Sequence, residues 1–143
     1  MTNPLEEAIA VALEAHAGVM TRSGRPYILH PLRLMIQMDS EEEMITAVLH
    51  DVVEDSPLTL TDLAGMGFSS QVLDALDLLT RNKETTSYDD YIMAIKENDL
   101  ARKIKLADLE HNMDVRRLPN PMSQQDLNRL QRYRRAWKTL TGR

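Results

Sequence analysis

Apolar side chains recur three and four residues apart along almost the whole chain, the spacing of an amphipathic helix. Leu5, Ala8, Ile9, Ala12, Leu13, His16, Ala17 and Met20 form the first such stripe. Asn3-Pro4 supplies its cap and first helical residue, and Ser23-Gly24-Arg25-Pro26 breaks it. A short second helix is predicted from His30-Pro31 to about Met38. Ser40 followed by Glu41, Glu42 and Glu43 reads as a capping box whose charges suit the helix dipole. The third helix it opens is predicted to run to about Glu54, where Ser56-Pro57 stops it. Further helices are predicted at about 61 to 65, 69 to 81, 88 to 97 after Ser87, 100 to 117 after Asp99, and 123 to 140 after Ser123. No segment alternates convincingly with period two, and no internal repeat is visible. The expected fold class is all-α, one compact bundle over residues 1–143.

Three places put ionisable groups where that pattern calls for apolar ones. His50-Asp51 interrupts the aliphatic third helix, with Glu54 and Asp55 one turn further on. The stripe Leu100, Ile104, Ala107, His111, Val115, Leu118 carries Asp108 and Asn112 on its edge. His30 opens the second helix, where its imidazole is free to point inward. Each has an ordinary explanation: a hydrogen-bonded core histidine for His30, a buried ion pair for His50-Asp51, and a pair with Lys105 for Asp108. Together they offer two imidazoles and two carboxylates, a sensible donor set for Mn²⁺, Fe²⁺ or Zn²⁺.

Composition narrows the chemistry. The chain has no cysteine, so any metal must be held by nitrogen and oxygen. A net charge of -5 argues against general nucleic-acid binding, but it is unevenly spread. Residues 1 to 99 carry 6 basic and 18 acidic side chains, whereas residues 100 to 143 carry 11 basic and 4 acidic. An anionic ligand can therefore be met locally by Arg22, Arg25, Lys105 or the C-terminal arginines; alternatively, the basic stretch docks on the acidic half. No apolar run approaches the roughly 20 residues needed to span a bilayer, and no leader pattern opens the chain. The expected location is cytoplasmic, with no membrane partner.

Five blocks carry a resemblance. They are Ala15-His16-Ala17-Gly18, the stretch from Arg22-Ser23-Gly24 to His30-Pro31-Leu32, Leu49-His50-Asp51-Val52-Val53-Glu54-Asp55-Ser56, Lys105-Leu106-Ala107-Asp108, and His111-Asn112-Met113. In this order, over most of residues 15 to 118, they resemble the hydrolase domain of RelA/SpoT-type alarmone enzymes, which are HD-domain metal phosphohydrolases. The resemblance implies one HD-type helical bundle in its small, stand-alone form. It implies His30, His50, Asp51 and Asp108 as ligands of a divalent metal, with Mn²⁺ expected. Glu54 and Asp55 match the acidic pair beside the attacking water. The implied reaction removes the 3′-pyrophosphate of ppGpp or pppGpp, the expected partners, leaving GDP or GTP. Arg22, Ser23 and Asn112 match positions that contact the nucleotide base or its vicinity, and Lys105 is a candidate for screening substrate phosphate.

The chain departs from the family where the purine is read. Thr21-Arg22 stands where two basic residues are common, Leu109-Glu110 follows Asp108, and Asp114-Val115 replaces an arginine-threonine type of sequence. The metal set is intact and the purine-reading set is altered, so hydrolysis is implied more firmly than guanine specificity. Alternatives are an HD-domain phosphohydrolase of another nucleotide, such as an adenosine alarmone or NADPH, and a nucleotide-sensing domain without turnover. Simpler roles also stand for Ser23-Gly24 as a turn, Arg22 as a helix end, Tyr27 as a packing residue and His16 as a support behind the ligands.

Overall fold

The computed structural model describes residues 3–143, and the regular structure there is helical. In chain order the helices are α1 Pro4–Ala15, α2 Leu29–Ile36, α3 Glu41–Leu49, α4 Val52–Asp55, α5 Leu60–Gly65, α6 Ser70–Leu79, α7 Tyr88–Lys96, α8 Asp99–Asn112 and α9 Gln124–Thr141. The expected all-α class is observed. Asn3, Ser40, Ser87 and Ser123 cap α1, α3, α7 and α9, each side-chain oxygen accepting a first-turn N–H. Such a cap stabilises a helix by about 1 kcal/mol.

Three boundaries differ from the periodicity. α1 stops at Ala15, short of Met20: Gly18 takes a positive φ of 78°, and residues 19–27 fold into a tight loop closed by a Met20–Pro26 bridge. Ala17 and Met20 therefore lie outside the helix. α8 is capped by Asn98 and ends at Asn112; Asp114 then accepts the Arg116 N–H and starts a separate 3-10 turn over Val115–Arg117. The third difference matters most. The helix predicted to Glu54 breaks at His50-Asp51 into α3 and α4, with Asp51 at φ -110°, ψ 1°. The Ala47 carbonyl, which a continuous helix would pair with the Asp51 N–H, instead accepts a bond from His50 Nδ1–H at 2.7 Å.

Two apolar clusters fill the bundle. α1, α3, α5 and α6 enclose Ala8, Ala12, Val48, Leu49, Leu63 and Leu76, while α2, α6, α7, α8 and α9 enclose Leu34, Leu79, Ile95, Ile104, Leu109 and Leu140. α3 lies against α1, α2, α6 and α8, and α2 also touches α8. The C-terminal end of α3, the start of α2 and the second half of α8 thereby bring their polar residues together. Close packing of fully buried aliphatic side chains holds these backbones in fixed register.

Candidate metal centre

His30, His50, Asp51 and Asp108 converge, although their sequence separations reach 78 residues. His50 Nε2 lies 3.1 Å from Asp51 Oδ2 and 3.6 Å from Asp108 Oδ1, and His30 Nε2 lies 2.8 Å from that same Asp108 oxygen. Donor atoms of His30, His50 and Asp51 all fall within 4.8 Å of one another. His30, His50 and Asp108 are buried, and Asp51 is partly so.

The donor set fits a divalent cation. The bond from His50 Nδ1–H to Ala47 leaves Nε2 with the lone pair in the neutral ring. That Nε2 is buried and makes no directed hydrogen bond, despite the two carboxylates beside it. A cation between these groups would use the lone pair and both carboxylates at once. His30 is prepared differently. Its Nδ1 lies 2.7 Å from His111 Nδ1, the two rings being parallel within 3°. One proton shared between these nitrogens lets His30 present Nε2 either as N–H to Asp108 or as a bare lone pair to a cation.

Neighbouring groups hold the carboxylates ionised. Asp108 accepts from Lys105 Nζ at 2.8 Å and Asn112 Nδ2 at 3.0 Å. Burial alone would raise its pKa, but Lys105, His30 and His50 carry it well below the usual carboxylate range. Asp51 feels the same opposition: burial raises it, and His50 and the Tyr27 hydroxyl bring it down to about 2. Tyr27 donates to Asp51, and burial beside that charge drives its phenol well above the ordinary value, so it remains a donor. His50, without a cation, is pulled down by burial and raised further by Asp51 and Asp108, ending well above 6.5.

That balance predicts opposite pH responses for the two forms. A histidine whose pKa is higher in the folded than in the unfolded chain stabilises fully below about 6.5 and loses that contribution as pH rises through the folded value. The metal-free protein is therefore expected to lose thermal stability as pH rises above about 6.5. His16 and His111, both lowered in the fold, add nothing there, because their unfolded forms are already neutral above 6.5. The cation needs neutral imidazoles, so its affinity should rise in the same direction of pH. Melting curves in chelator and metal titrations check both; a metal-free Tm that climbs with pH contradicts the ion-pair account.

Glu54 and Asp55 stand on α4, exposed, one turn beyond the break. Burial of their carboxyls, then the Asp51 charge and, for Glu54, Asp55, raise both above the usual range. They border a cavity of about 400 Å³ shared with Arg81 and Lys83. A carboxylate of raised basicity, open to solvent and beside a cation site, can orient a water or take its proton.

The predicted nucleotide residues divide. Arg22, Ser23 and Asn112 line one cleft of about 350 Å³ with Tyr27, Arg117 and Tyr133. Arg22 is paired there with the buried Asp126 of α9, and Asn112 donates to Asp108. Lys105 does not line this cleft; it bonds Asp108, lies over the Tyr91 ring, and its side chain is only 12% exposed. It acts on the Asp108 carboxylate. His16 packs edge-on against Tyr27 at 4.9 Å, a support behind the site.

Sequence reasoning omitted Tyr27 and His111 from the site. Nothing in spacing singles out Tyr27. For His111 a signal existed, since it lies three residues after Asp108 and so shares its helix face. We expect His111→Leu to weaken divalent-metal affinity about 10- to 100-fold, the usual effect of losing the group that orients a ligand histidine. His111→Gln, which keeps an acceptor oxygen, should recover part of it. Calorimetric metal titration reads both; wild-type affinity in His111→Leu would remove this role.

No protein-family model matches the chain. The bifunctional (p)ppGpp synthase/hydrolase SpoT of Escherichia coli is 34% identical over 123 residues, which cover 76% of this chain and 17% of that protein. The guanosine-3′,5′-bis(diphosphate) 3′-pyrophosphohydrolase of Haemophilus influenzae is 35% identical over 117 residues, covering 72% and 17%. This chain thus spans about a sixth of the length of the curated relatives it matches. A solved structure described as a metazoan orthologue of SpoT that hydrolyses ppGpp superposes over 98% of this chain and 86% of its own, with TM-score 0.75 and 21% identity. Over about three quarters of its length the chain is thus similar in sequence to these (p)ppGpp synthase/hydrolase and pyrophosphohydrolase proteins, and it shares the all-α fold of the SpoT-related structure.

Proposed function

We propose that the protein is a metal-dependent 3′-pyrophosphohydrolase of the guanosine alarmones ppGpp and pppGpp. The convergence of His30, His50, Asp51 and Asp108 beside the open pair Glu54-Asp55 carries this reading. Bound by the first four, a divalent cation, for which we propose Mn²⁺, would polarise a phosphate oxygen and lower the pKa of a water. The rest falls to the chain. Tyr27 and Lys105 hold Asp51 and Asp108 in place. Glu54 or Asp55 accepts a proton from the water as its oxygen bonds to the phosphorus carried on the 3′ oxygen. The bond between that phosphorus and the 3′ oxygen breaks, the 3′ oxygen takes a proton, and pyrophosphate leaves. A purely binding domain has no need of the acidic pair, which favours turnover over sensing.

The base is a separate matter. Arg22 is tied to Asp126 and Asn112 to Asp108, so two residues matched to purine contact are already engaged. This supports a second reading, the same reaction on an adenine nucleotide. The test of both is metal-loaded protein incubated with ppGpp, pppGpp, an adenosine alarmone and NADPH, with pyrophosphate and orthophosphate measured separately. Pyrophosphate from the guanosine substrates is expected. Orthophosphate alone from every substrate would overturn the reaction assigned here, and preference for the adenosine alarmone would overturn only the base.

A further inference from the structure

A cleft of about 720 Å³, larger than the one holding Arg22 and Asn112, opens on the other side of His30. The His30 ring forms a wall between two compartments: Nε2 meets Asp108 in the ligand cluster, and Nδ1 meets His111, which also lines the cleft. Arg25, Arg33, Arg116 and Arg117 converge on it from the 19–27 loop, α2 and the 3-10 turn. Its one lining carboxylate, Asp114, is bound twice by Arg116. Arg25 and Arg33 have no carboxylate partner among the described residues, in a chain whose net charge is -5. Like charges gathered around a concavity repel one another and focus a positive potential into it.

We infer that this cleft is a second binding site, for a phosphate-bearing anion held by Arg25 and Arg33. Guanidinium groups match phosphate oxygens in pairs, and two of them from separate segments can grip a diphosphate at several oxygens. Leu29 and Ile36, 49% and 73% exposed at its edge, offer an apolar wall for the organic part of a nucleotide. The volume lies within the range of small-ligand pockets. The site does not depend on the reaction assigned above; only its link to a substrate does.

The experiment uses full-length protein freed of metal by chelator, so that the ligand cluster cannot hold an anion through a cation, and inorganic pyrophosphate as the probe. Titration calorimetry at low ionic strength should show saturable binding. Arg33→Glu and Arg25→Glu should each weaken it at least tenfold, while Asp51→Asn should leave it within twofold. No binding by the wild type, or binding unmoved by Arg33→Glu, overturns the site. A second arm, resting on the hydrolase reading, distinguishes the sources of the phosphate. A KM for ppGpp raised at least fivefold in Arg33→Glu identifies the occupant as a phosphate group of the substrate. An unchanged KM, with pyrophosphate binding still lost, identifies a free anion.

Discussion

Asp108→Ala is expected to abolish metal binding and bring hydrolysis down to the background rate, and to destabilise the fold by about 3–5 kcal/mol. The two effects share one cause. Asp108 is buried and accepts from Lys105, His30 and Asn112. Removing the carboxylate takes away a ligand and leaves the Lys105 ammonium with no counter-charge in an apolar interior. Asp108→Asn keeps the volume and an acceptor oxygen for Lys105, so its loss of stability should be smaller while its loss of metal is nearly as large. Thermal denaturation alongside metal analysis reads both variants. Wild-type metal content in Asp108→Ala would remove Asp108 from the ligand set, and an unchanged Tm would contradict the burial argument.

Glu54→Gln should behave in the opposite manner, with turnover falling about 10²- to 10⁴-fold, as expected for loss of a general base. Stability should move by no more than about 0.5 kcal/mol, because the side chain is exposed and makes no bond in the structure. Metal content and nucleotide affinity should remain. Asp55→Asn is the necessary companion, since both carboxyls are raised by the same causes and border the same cavity. The variant with the larger fall in kcat at unchanged KM identifies the group that handles the water. Wild-type kcat in both would show that neither does.

Much of this site could be read from the chain because misplaced polarity is conspicuous in an apolar pattern. His50-Asp51 amid Leu49, Val52 and Val53, and Asp108 on the stripe of Ile104 and Ala107, violate the period that builds their own helices. Helix caps were equally plain, since Ser40 and Ser123 act on N–H groups within three residues. The break between α3 and α4 could not be read. Local preference favours continuing the helix, and what replaces it is a bond from the His50 ring to Ala47 and a cluster assembled from α2 and α8.

The sequence by itself determined the helical class and the caps, and it singled out His30, His50, Asp51 and Asp108 as polar residues out of place, because each of these depends on spacing or on neighbours a few residues away. Only the tertiary structure decided what those residues do to one another. Arg22 meets Asp126 across 104 positions, His30 meets His111 across 81, and Tyr27 meets Asp51 across 24. No propensity encodes such pairs. They arise when close packing of separate helices brings polar groups from distant parts of the chain within reach of one another, which also holds the buried carboxylates ionised and gathers the arginines of the cleft beside His30.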